Sequence, residues 1–180
     1  MIFKKIFLRC RQFLRSWQAK PLTVPENRYL QGVLTPGQYA LFKALPIYEQ
    51  RHALNVCRTL TSAGFGYDRD LLQAGLLHDL GKFDPSTGQA IPVWVKVANV
   101  AAGKLAGPFY RSWRDRQAKN TPGGWRYYFW LQAAHEDRGA ALAQKAGGGP
   151  RVAALIGECK TLGQRGDTAA RALAWADDLN

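Results

Sequence analysis

The chain has 180 residues, enough for one domain with a short extension or for one domain alone, and 47% of them are hydrophobic, which predicts a packed core and excludes a disordered chain. Twenty-five Lys and Arg against 13 Asp and Glu leave a formal net charge of +12, which favours anionic partners: phosphorylated small molecules, an anionic membrane surface or, third in rank, nucleic acid. Three scattered cysteines (Cys10, Cys57, Cys159) make no disulfide framework and point to a reducing, cytoplasmic setting, and no charge-free apolar run reaches the ~18 residues of a membrane span.

From the N-terminus, residues 2–17 are expected to form an amphipathic helix. Ile2, Phe3, Ile6, Phe7, Cys10, Phe13, Leu14 and Trp17 recur at helical spacing, with Lys4, Lys5, Arg9, Arg11 and Arg15 between them. These interleaved charges rule out the continuous apolar core of a signal peptide. Such a helix can dock on the domain's own core, bind a partner, or lie on an anionic bilayer, which would make the protein peripheral at the inner face of the membrane. Residues 20–37 hold Pro21, Pro25, Gly32, Pro36 and Gly37 and predict an irregular connector, so the chain divides into an extension, 1–37, and a domain, 38–180.

Helices are expected over Tyr39–Leu45 and Ile47–Ala63, the latter ended by Gly64 and Gly66. Asp68 is a candidate N-cap for a helix to Leu80, backed by Gly81. Pro85–Gly88 is turn chemistry. Residues 91–106 carry helical spacing, 107–124 are loop or short helix, and 125–146 are helical and rich in aromatic residues at the start. After the break at Gly147–Pro150 come helices over Arg151–Cys159 and Thr168–Leu179. No period-2 pattern persists, so the fold class is all-α.

The chemistry concentrates at His78-Asp79, an adjacent pair closing the apolar run Leu71–Leu80. Burying an imidazole and a carboxylate without partners costs several kcal/mol, and a bound cation removes that cost by making both groups ligands. The other histidines, His52 and His135, also fall on expected helices. His52 shares a face with Val56 and Thr59, toward the core. On the last helix Ala170, Leu173, Ala174 and Asp177 share one face, so Asp177 points inward and Asp178 is turned about 100° away.

His52, His78-Asp79 and Asp177, in this order, resemble the His … His-Asp … Asp ligand series of the HD-domain superfamily of metal-dependent phosphohydrolases. Ala74-Gly75-Leu76-Leu77-His78-Asp79-Leu80-Gly81-Lys82 is similar to the family's signature segment. Arg51-His52-Ala53-Leu54-Asn55-Val56 and Trp175-Ala176-Asp177-Asp178 resemble its first and last ligand segments. The likeness spans roughly residues 45–180 and implies an all-α HD-domain helical bundle holding one or two divalent metal ions (Mn, Fe, Zn, Co or Mg).

It further implies hydrolysis of a small phosphorylated substrate, a nucleotide above all, with Asp79 orienting water and Lys82 reaching the phosphate. His135-Glu136-Asp137 resembles the first of the extra ligand segments that hold a second metal in some members. Where the second such histidine is expected, the chain has Glu158-Cys159-Lys160, so Cys159 or Glu158 substitutes, or the second metal is weak or absent. That departure, with the basic helix 2–17, motivates an alternative: an HD-fold nucleotide or metal sensor with little turnover. The Gly-Tyr-Pro segment of cyclic-di-GMP phosphodiesterases is missing.

The basic stretch Arg111, Arg114, Arg116, Lys119 and Arg126, with Trp113, Trp125, Tyr127 and Tyr128, offers either a rim for an anionic substrate or a solvated face above core aromatics.

Overall fold

A computed structural model describes residues 19–84, 89–119 and 122–180. The amphipathic stretch 2–17 and the turn at 85–88 lie outside the described residues. The chain is all-α: α1 (Val24–Val33), α2 (Pro36–Ala44), α3 (Ile47–Leu60), α4 (Arg69–Leu77), α5 (Val93–Leu105), α6 (Gly107–Asp115), α7 (Trp125–Lys145), α8 (Pro150–Gly157), α9 (Cys159–Gln164) and α10 (Thr168–Leu179). Two-residue strands, Phe83–Asp84 and Gln89–Ala90, pair antiparallel between α4 and α5. They are too short to leave an alternating pattern in the sequence. Among the described residues no helix is long and apolar enough to cross a membrane.

The segment 20–37 is not the irregular connector its prolines and glycines predict. Thr23 and Thr35 each cap a helix. The Thr23 hydroxyl accepts from the Glu26 amide while the Glu26 carboxylate accepts from the Thr23 amide at 2.7 Å. Thr35 and Gln38 repeat the exchange at 3.2 and 2.9 Å. Pro25 and Pro36 fall in the first turn, where a missing N–H costs nothing. Leu22, Leu30 and Leu34 enter the same core as the helices that follow.

Other boundaries shift for local reasons. The helix expected to run to Ala63 gives way after Leu60 to a wide turn over Thr61–Phe65, in which Gly64 takes φ 92°. The helix expected to reach Leu80 ends at Leu77 and tightens into a 3₁₀ turn, Leu80–Lys82. Residues 107–115 are helix, and the run expected over Arg151–Cys159 breaks at Glu158, whose backbone (φ −119°, ψ 17°) is not helical.

Among the described residues, two hydrophobic cores result. The larger joins α1–α4 to α8 and α10 through Phe42, Leu54, Val56, Leu60, Leu76, Leu155 and Leu173. The smaller is aromatic: Val95, Tyr110, Tyr127, Tyr128, Phe129 and Leu131 join α5, α6 and the first half of α7. The second half of α7 returns to the larger core through Ala143.

Candidate metal centre

α3, α4 and α10 meet in the larger core because each buries a stripe of small and aliphatic side chains. Ala53, Val56 and Cys57 come from α3, Ala74 and Leu77 from α4, and Leu173 and Ala176 from α10. The packing fixes what lies at the edge of each stripe. His52 is one turn before Val56, His78 follows Leu77, and Asp177 follows Ala176.

The three side chains converge. His52 Nε2 is 3.0 Å from Asp177 Oδ1 and 3.3 Å from His78 Nε2, and His78 Nε2 is 3.3 Å from Asp177 Oδ1. Asp178 is exposed. His78 Nδ1 lies 2.9 Å from the Gly75 carbonyl oxygen. A carbonyl only accepts, so Nδ1 carries the hydrogen and Nε2 presents its lone pair to the cluster when the ring is neutral. Such an anchored tautomer is the usual second layer of a histidine metal ligand.

The spacing fits a shared ion. Ligand bonds of about 2.0–2.2 Å place neighbouring donor atoms about 2.9–3.5 Å apart in octahedral or tetrahedral geometry. The edges of this triangle fall in that range, and two nitrogens with one carboxylate oxygen suit a divalent transition metal.

Asp79 borders the trio. Its Oδ1 is 3.4 Å from His78 Nε2, its Oδ2 4.0 Å from His52 Nε2. The Lys82 ammonium, on a largely buried side chain, holds Asp79 Oδ1 at 2.6 Å. The charges sustain one another. Burial opposes ionisation of His78, but Asp79 and Asp177 outweigh it and lift its pKa to about 9. Burial likewise opposes the charges of Asp79 and Asp177, yet the neighbouring side chains, by charge and by hydrogen bonding, hold both carboxyls well below the usual carboxylate range. These are His78, Lys82 and His52 around Asp79, and His52 and His78 around Asp177. For Lys82, burial is overcome by Asp79 and Glu49, and the ammonium is favoured.

Glu49 is a member that the sequence reading missed. It is buried on α3, and its field reaches Lys82 and the phenol of Tyr48, whose pKa burial already raises. Glu49 sits one turn before His52 on the same helical face, but nothing local in the sequence marks it as a neighbour of Lys82.

His135 comes close by another route. α7 crosses the 3₁₀ turn at a glycine-on-glycine contact. A Cβ on Gly81 would collide with the His135 carbonyl, and one on Gly139 would stand 3.3 Å from the Gly81 amide nitrogen. Only bare backbone lets α7 approach so closely. His135 Nδ1 donates to the Gln132 carbonyl at 2.7 Å. Burial and then the nearby Lys82 charge push its pKa down, which favours a neutral ring with its lone pair on Nε2. The trio that can hold a metal comprises His52, His78 and Asp177; His135 and Asp79 are not among its members.

Cys159 and Glu158 are not joined to the site. The Cys159 thiol donates to the Ala170 carbonyl at 3.3 Å, and burial raises its pKa. Glu158, between α8 and α9, is exposed and lines a groove with Asp137. The basic, aromatic stretch divides. Tyr127 and Tyr128 are buried in the smaller core and Trp113 packs on it, while Trp125 is half exposed with the Arg126 guanidinium 5.0 Å above its ring. Arg114 binds Asp115, its neighbour in the chain, and Arg116 donates to the Ser112 carbonyl.

Comparison with protein-family models, with curated proteins and with solved structures finds no match to this chain.

Proposed function

We propose that the chain is an HD-type, divalent-metal-dependent phosphohydrolase acting on a nucleotide or another small phosphate ester. The observation that carries the reading is the triangle of His52 Nε2, His78 Nε2 and Asp177 Oδ1, with edges of 3.0–3.3 Å. These three side chains would hold the cation, and Asp79 would join them from the adjoining side. A divalent cation held there would supply Lewis acidity toward a phosphoryl oxygen and would lower the pKa of a water toward neutral pH.

The remaining work falls to the protein. The Asp79 carboxylate accepts a hydrogen bond from the attacking water and orients it. The Lys82 ammonium offers positive charge to the ester oxygens, sharing or releasing Asp79 as it does so. His135, held neutral with its lone pair on Nε2, takes up a proton as one is released.

A second reading, a nucleotide or metal sensor with little turnover, is favoured by two contacts. Lys82 is already committed to Asp79, and the Cys159 thiol is turned away to Ala170.

The test is metal content per chain, on protein purified without affinity-tag metal and then reconstituted, followed by a screen of phosphate esters. The expected result is about one equivalent of a transition metal, lost in Asp177→Asn and in His78→Ala, with ester hydrolysis that falls in parallel. Metal retained with no hydrolysis across the panel selects the sensor. A chain that takes up no metal after reconstitution overturns the hydrolase and the metal sensor alike.

A further inference from the structure

The corner between α5 and α6 exposes large apolar side chains. Leu105, the last residue of α5, is 88% exposed and Phe109, in the first turn of α6, is 87% exposed. Trp94, at the start of α5, is 53% exposed. Eleven residues separate it from Leu105, three full helical turns, so both lie on one stripe about 16 Å long. Trp125, 52% exposed, sits with Trp94 on the same ring: both meet Phe129 edge-on, at 6.1 and 5.9 Å.

The segment that carries these side chains is cationic in sequence. Residues 91–135 carry seven Lys and Arg and one acid, Asp115. We propose that this corner is a docking surface for an anionic lipid bilayer. Leu105 and Phe109 would enter the acyl boundary, Trp94 and Trp125 would sit at the headgroup level, and the arginines of α6 and Arg126 would face the lipid phosphates.

Charge and shape choose this occupant over the others. A second copy of the chain would bring seven cations against seven. Residues 1–18 carry Lys4, Lys5, Arg9, Arg11 and Arg15 with no acid, so they would meet like charge here. Leu105 offers a nucleic acid neither a ring to stack nor a hydrogen bond, whereas exposed aliphatic and aromatic side chains in a segment rich in Lys and Arg are what an anionic interface holds. The inference does not rest on the metal centre, which lies on other helices of the bundle.

The test uses the full chain and extruded vesicles, of phosphatidylcholine alone or rich in phosphatidylglycerol, in co-sedimentation at fixed salt. The variant is L105S/F109S, which leaves net charge and core unchanged, with Tyr67→Ser, another highly exposed aromatic, as the control. The expected result is sedimentation with the anionic vesicles, weakened about tenfold in the double variant and unchanged in Tyr67→Ser. Equal binding of wild type and double variant would overturn the proposal, because the N-terminal stretch or bulk charge would then carry it. So would absent binding of the wild type, a dimer that the double variant dissolves, or binding to single-stranded oligonucleotide in place of vesicles.

Discussion

A methyl group at position 81 would meet the His135 carbonyl and the Gly139 amide, backbone atoms that cannot swing aside. Gly81→Ala should therefore lower unfolding free energy by about 2–4 kcal/mol and push α7 away from the 3₁₀ turn, measurable by denaturant melts. His78 carries a second prediction. Its folded pKa is about 9 against 6.5 for an unperturbed imidazole, so the stability it contributes is complete below pH 6.5 and is lost as pH rises through 9. Metal-free protein should lose on the order of 2–3 kcal/mol between those limits, and His78→Asn should flatten the slope; a wild-type slope that survives the substitution would remove His78 as its source. At the same scale, Asp177→Asn should abolish metal uptake while Asp178→Asn, at an exposed position, leaves it intact. Equal loss in the two would dismiss the trio as the metal site.

At the scale of elements, Glu26 shows how α1 is held. Its carboxylate caps its own helix through Thr23 and receives Arg51 at 2.7 Å and Arg58 at 2.9 Å from α3. Burial opposes the charge, but the Thr23 amide and the two guanidiniums bring the pKa down to about 2, from 4.5. A depressed carboxyl contributes stability above pH 4.5 and surrenders it as pH falls toward 2. Glu26→Gln should cost about 1–2 kcal/mol at neutral pH, after allowance for the half-exposed Arg58, and should shrink the acid loss between pH 4.5 and 2. Acid titration of both proteins followed by circular dichroism checks this.

This same element was the least legible in the sequence. Pro25, Gly32, Pro36 and Gly37 suggest breakers, yet Thr23-x-x-Glu26 and Thr35-x-x-Gln38 are capping boxes, and proline in a first turn starts a helix. The all-α class and the longer helices were legible because their apolar periodicity is strong. His52, His78 and Asp177 were legible because helical spacing puts His52 and Asp177 beside buried stripes, His78 forms a His-Asp pair closing an apolar run, and their order resembles a known ligand series. Glu49 was not, since its role depends on Lys82 arriving from a turn 33 positions later. Nor was the closeness of α7 to the site, which depends on two glycines with no periodic signature.

At the scale of the molecule, the described residues form two cores that share one helix, α7. The trio belongs entirely to elements of the larger core, whereas Trp94, Trp125, Tyr110 and Trp113 all gather on Phe129 in the smaller one. Phe129 is the ring on which α5, α6 and α7 agree, and its removal would leave those contacts without a centre. Phe129→Ala should cost about 3–5 kcal/mol, and the damage should be local. Hydrogen exchange should rise across α5, α6 and the start of α7 while α3, α4 and α10 stay protected, because Val56, Leu76 and Leu173 pack without any member of the aromatic core. Protection lost uniformly along the chain would mean that the two cores fold as one cooperative unit. α7 would carry the coupling between them, since Gly139 fastens its second half to the turn beneath His78 and Asp79. In that case a disturbance at Phe129 would reach the histidines through the backbone of α7, and metal affinity would fall together with exchange protection.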